Sequence, residues 1–348
     1  MSRQIALDTI HLKPTPRIAH TEYSLEYHSE YVRRITGGEL SDPATALKLY
    51  DLWGIDFLWG VNDGLHGDWF SRGRATDMGH AVYAADGSDL RQPAESPFRT
   101  VEEVWAFDPI GEYGLPHREE QIRAYEQSIA WSREHRPEQL MTGGYYKTIV
   151  SGAIQAFGWE MFLLAAADLP KIERVLDGFF RFTKFHTDAW VQTSAEVIIQ
   201  HDDFVWTSGP FLRPDFYRSA IIGRYAELWK PLHAAGTKVL FCSDGRFIDL
   251  AADIVAAGAD GLIFEPDNDF ATMVDRFGDT VALVGSAVDC RTMSFGTWEQ
   301  VKASMDRTLE LAPRCRGLIW SVGNHMPANI SDEMMGRYIA YLRANWER

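Results

Sequence analysis

Short apolar runs alternate with amphipathic stretches of helical length through the second half of the chain, the pattern of repeated β-strand and α-helix units. The runs at 196–200 (EVIIQ), 238–241 (KVLF), 261–264 (GLIF), 281–284 (VALV) and 317–321 (GLIWS) read as buried parallel strands. Between and after them, 216–235, 248–257, 270–277, 298–311 and 332–345 carry one apolar face each and read as helices. Several open on Asp, Ser or Thr, and the GADG at 258–261 is a helix stop. The first half is less regular. Residues 57–61, 101–107 and 141–148 supply three further strand candidates, and a long apolar-faced helical region covers 159–167 and 172–193, broken at Pro170. The turn-rich stretch 83–98 reads as a surface insertion.

Eight strands alternating with helices predict an α/β chain folded as a single (β/α)8 TIM barrel over residues 1–348, with an N-terminal extension and a loop insertion. An open doubly wound sheet shows the same alternation, and only the strand count favours closure. Length and the 46% hydrophobic content suit a large core. The sequence contains no apolar stretch near the roughly 20 residues that span a bilayer, and no secretory leader is recognisable, so the expected location is cytoplasmic. A net charge of −15 without a basic run excludes nucleic acid as a natural partner. Three cysteines, Cys242, Cys290 and Cys315, fit reduced thiols better than a disulfide framework.

In such a barrel the chemistry belongs where strands run into loops at one mouth. The strand ends here carry His201, Asp202 and Asp203; Cys242 and Asp244; Glu265; Asp289 and Cys290; and Asn324 and His325. Cys242, Glu265, Cys290 and His325 are residue types that bind Zn2+, which needs three protein ligands and an open position for catalysis. The plainer reading of each is structural. A lone cysteine ending an apolar run is a small buried hydrophobe, and a carboxylate after a strand caps the next turn. Cys315 precedes its strand at the opposite rim. Alternation sends Asp202 and Asp203 to opposite sides, so one of them at most faces the cavity.

Several stretches resemble the uroporphyrinogen decarboxylase superfamily: FGWE at 157–160, HDDF at 201–204 followed by GPFLRPDFY, KVLFCSDGRF, GADGLIFEP, GSAVDCRTMSFGTWEQV and WSVGNHMP, in the expected order from Gly158 to the C-terminus. That resemblance implies the barrel and one of two activities: cofactor-free decarboxylation of uroporphyrinogen, or zinc-dependent methyl transfer involving a corrinoid protein or coenzyme M. The arginine-rich RQAGR stretch of the decarboxylases has no counterpart here, although Arg72, Arg74, Arg213 and Arg246 lie in loops. The methyltransferases resemble the chain better, but those acting with coenzyme M carry an HxC pair and a later Cys. Aligned on Gly245, their His falls on Cys242, their first Cys on Asp244, and only Asn324 or His325 lies near the last.

The resemblance therefore implies a zinc site rebuilt from Cys242, Glu265, Cys290 and Asp244, with Asp202, Asp203, His201 and His325 as catalytic or orienting groups. The expected reaction moves a methyl group from a small methylated compound, such as a methoxylated aromatic suggested by Trp59, Trp69, Tyr145, Tyr146 and Trp206, to cobalamin on a corrinoid protein. A second copy of the chain, as a homodimer, is a further candidate partner. The alternatives are a metal-free lyase acting on a carboxylated substrate through Asp202 or Asp203 and His325, and a barrel that only binds a ligand.

Overall fold

The computed structural model describes residues 2–60, 96–146 and 148–348. Trp69, Arg72, Arg74, the Tyr146 side chain and most of the stretch 83–98 lie outside the described residues. Seven strands form one parallel sheet in the order β1 (Ala19–His20), β10 (Leu318–Trp320), β8 (Ala282–Val284), β7 (Gly261–Phe264), β6 (Lys238–Ser243), β5 (Val197–His201) and β4 (Gly143–Tyr146). Two steps close the curl into a ring. Strand β3 (Leu140–Met141) leads into β4 with only Thr142 between, and pairs with β2 (Phe57–Leu58). The Asp56 amide then donates to the His20 carbonyl at 2.8 Å, which joins β2 to β1. A short parallel pair, β9 (Val288–Asp289) and β11 (Val322–Gly323), extends the mouth beyond β8 and β10.

Period-two alternation sorts the strand side chains into two cores. Ala19, Phe57, Leu140, Val197, Ile199, Leu240, Cys242, Ile263, Val284 and Ile319 fill the lumen. Their neighbours Ile198, Val239, Phe241, Leu262, Phe264, Leu283, Leu318 and Trp320 pack outward against the helices. The N-terminal extension is helix Ser2–Ile10, whose Ala6, Leu7 and Ile10 join the lumen core. Its Ser2 hydroxyl donates to the Ile55 carbonyl just before β2, and Thr9 and Leu12 lie against Gly317 just before β10, so it stops the end of the barrel where the strands begin.

The C-terminal half follows its pattern closely, and two of the expected elements are corrected. Residues 101–107, expected as a strand, form helix Val101–Trp105: the Thr100 hydroxyl accepts from the Glu103 amide, and two glutamates occupy the first turn. The ring's place is taken by β1, two residues too short to show a pattern. The break expected at Pro170 is present: helix Trp159–Ala165 ends before it, and Pro170 lies in the first turn of the next helix, Leu169–Trp190, behind the Asp168 cap. The helix expected at 216–235 contains a π-helical stretch, Tyr217–Ile222, ahead of Gly223–Ala234. Among the described residues no helix is long and apolar enough to cross a membrane.

Candidate functional site

Inward alternation continues past the ends of three adjacent strands and carries polar side chains to the mouth. After Val197 and Ile199 of β5 come His201 and Asp203; after Leu240 and Cys242 of β6 comes Asp244; after Ile263 of β7 comes Glu265. His201 sits opposite Cys242 in the β5–β6 register. The His201 Nε2 pairs with Asp203 Oδ1 at 2.9 Å, and the Asp244 amide donates to the same oxygen at 2.8 Å. Ligand-type atoms of His201, Asp203 and Asp244 all lie within 4.8 Å of one another. Next to them, Glu265 Oε2 accepts from the Gly245 amide at 2.6 Å and Oε1 from the Asn324 side chain, whose own oxygen accepts from His325 Nδ1. Asn324 has φ +70°, a left-handed conformation that Asn tolerates.

These charges act on one another in a confined space. Burial opposes charge on His201, but Asp203, Asp244 and Asp202 outweigh it and the imidazole's pKa is raised. Burial lifts Glu265; the Gly245 and Asn324 donors pull it down, Asp203 pushes it up, and the net shift is upward. Burial, followed by Asp244, Asp203 and Glu265, holds the Cys242 thiol well above its ordinary range, so the thiol is neutral.

The expected residues are gathered differently from the expectation. Asp202 turns away from the mouth. Its buried carboxylate accepts from the amides of Ile149 (3.2 Å), Val150 (3.0 Å) and Ser151 (2.7 Å) and from the Tyr225 hydroxyl (2.6 Å), anchoring the start of helix Val150–Phe157. Cys290 opens helix Cys290–Phe295 behind its Asp289 cap and packs with Met293 in the outer core, whereas Cys242 belongs to the lumen. The set Cys242, Glu265 and Cys290 therefore does not converge; among the described residues the convergent metal-type group is His201, Asp203 and Asp244. Cys315 is buried just before β10, at the far rim. The sequence signal for the observed group was the His-x-Asp spacing at 201–203, which puts both side chains on one strand face.

An aromatic cluster adjoins this group. Trp206, three residues after Asp203 and 42% exposed, lies with its ring centre 5.8 Å from Trp159 and 5.5 Å from Phe211. Its carbonyl accepts from the Arg246 amide at 2.8 Å, which ties the loop after β5 to the loop after β6.

Comparison with known proteins agrees with this architecture. The model of the uroporphyrinogen decarboxylase (URO-D) family matches residues 158–344, more than half of the chain. No curated protein sequence matches significantly. Among solved structures, a methyltransferase from Methanosarcina mazei superposes with a TM-score of 0.65 at 17% identity, covering 99% of this chain and 98% of that one. A sugar phosphate isomerase/epimerase from Parabacteroides distasonis gives a TM-score of 0.44 at 10% identity over 95% and 97% of the two chains. At 17% identity the likeness to the methyltransferase is one of fold.

Proposed function

The chain belongs to the uroporphyrinogen decarboxylase family, and from that premise we propose that it is a methyltransferase, taking a methyl group from a small methylated compound and passing it to cobalamin on a corrinoid protein. The observation that carries the reading is the His201–Asp203 pair at the mouth, beside Asp244 and Glu265. Breaking a methyl–oxygen bond leaves the electron pair on oxygen while carbon bonds to the acceptor, so the site must meet a developing negative charge. His201, with its raised pKa and Asp203 behind it, donates the proton that the departing oxygen takes up. Asp203 fixes the imidazole ring, and the Asp244 amide fixes Asp203. The partly exposed Trp206, with Trp159 and Phe211, favours an aromatic ether as the donor.

Zinc is the metal that the family resemblance implies, but the thiol-containing set expected to hold it does not converge. A carboxylated lyase substrate suits the mouth less well, because Asp203, Asp244 and Glu265 would repel it.

Purified protein, incubated with chemically reduced cobalamin and a panel of methyl ethers, amines and thiols, tests the proposal. Methylcobalamin is expected from an aromatic methyl ether, falling by about 100-fold or more in His201→Gln. Absence of transfer from every donor rejects it, and carbon dioxide release from a carboxylated substrate would put a lyase in its place.

A further inference from the structure

We infer that His201, Asp203 and Asp244 form a divalent-metal site built of one imidazole and two carboxylates from adjacent strand ends, rather than a thiolate site. Three donors within 4.8 Å of one another can surround one ion at metal–ligand distances of about 2.0–2.2 Å after shifts of up to about 1 Å. His201 and Asp203 are presented by β5 and Asp244 by β6, hydrogen-bonded neighbours in a closed ring, so the set is assembled without an ion. The ion would replace the His201–Asp203 hydrogen bond, while the Asp244 amide continues to orient Asp203. With His201 neutral the donors carry two negative charges, which a dication balances.

The neighbouring side chains limit the set to these three donors. The Cys242 thiol is 5% exposed, lies on the same inner face two residues before Asp244, and has no hydrogen-bond partner among the described residues. The floor under the donors is thus an apolar-packed thiol outside the mutual reach of the other three, which leaves the set without sulfur. Glu265 has no cationic partner among the described residues, and its two donors hold it beside the group. One imidazole with carboxylates selects transition-metal dications such as Zn2+ over Mg2+, and it lacks the soft sulfur of the Cys- and His-rich pattern to which Cys242 and Asp244 align.

The inference shares its site with the proposed function but does not need methyl transfer: His201 is a ligand in the metal-loaded protein and a proton donor only in the metal-free one, and the test reads binding alone. Metal-free full-length protein is titrated with Co2+ and with Zn2+. A single ion per chain is expected, with visible ligand-field absorption for Co2+ and no intense near-ultraviolet sulfur-to-cobalt band. His201→Gln and Asp244→Asn should each weaken binding by about 100-fold, while Cys242→Ala and Cys290→Ala keep it. Thermal unfolding without metal confirms that each variant folds, and a metal-induced rise in Tm should appear in the wild type and both cysteine variants alone. A sulfur-to-cobalt band, loss of binding in Cys242→Ala, or no bound ion overturns the inference. Binding without methyl transfer would refute the proposed activity and leave the metal site standing.

Discussion

Asp202 and Asp203 are neighbours in sequence with opposite tasks, and substitution separates them. Asp202→Ala strands three backbone amides and the Tyr225 hydroxyl in a buried space, and should cost about 3 kcal/mol or more in urea unfolding. Asp203→Asn keeps the shape of a largely buried pair, and its main effect should fall on metal affinity and turnover, with a change in stability of about 1–3 kcal/mol. That two acids ended a strand was legible in the sequence, as was the rule that they diverge. Which one faced the mouth was not, because the partners of Asp202 come from residues 149–151, some fifty positions upstream. Cys315 makes a further prediction. Burial pushes its thiol from 9 up to about 11. Between those values the unfolded chain loses a proton that the folded chain keeps, so this contribution to stability is whole below pH 9 and is lost as pH rises towards 11. The loss amounts to about 3 kcal/mol. Unfolding curves of wild type and Cys315→Ala should diverge in slope over that interval.

Among the elements, the five C-terminal strands were readable because each is a compact apolar run between turn signals. The first strand was hidden because two residues show no periodicity, and the helix Val101–Trp105 was misread because Val, Trp and Phe mimic a strand while its Thr100 cap argues otherwise. The loops after β5 and β6 could not be joined from sequence at all. Gly245 joins them: it has φ +77°, and a Cβ there would meet the Trp206 carbonyl carbon and oxygen at 2.8 Å. Gly245→Ala should cost about 2 kcal/mol from the backbone conformation alone, and more from the clash. Because the displaced loop carries Asp244, metal affinity should fall with it; thermal unfolding and Co2+ titration of the same sample measure both.

At the scale of the whole molecule, the lumen is one packed column from the N-terminal helix to the mouth. Ile10, 1% exposed, fills its lower end, and Ile10→Ala should lower unfolding free energy by about 3 kcal/mol. The opposite end should be spared, with Co2+ affinity measured on the folded variant changing less than about threefold, since distant sites add independently. The ring also brings the beginning of the chain to its end. Strand β1 lies beside β10, the Ile18 amide donates to the Trp346 carbonyl, and the Arg348 amide donates to the Pro16 carbonyl. During synthesis, then, strand β1 has no permanent neighbour on that side until residues 318–320 leave the ribosome. Asn324, which grips Glu265, also arrives in that segment. A prematurely terminated product would carry most of the donor residues and still lack a finished cavity, so chain termination near residue 310 leaves a species for the cell's quality control rather than a weakened catalyst.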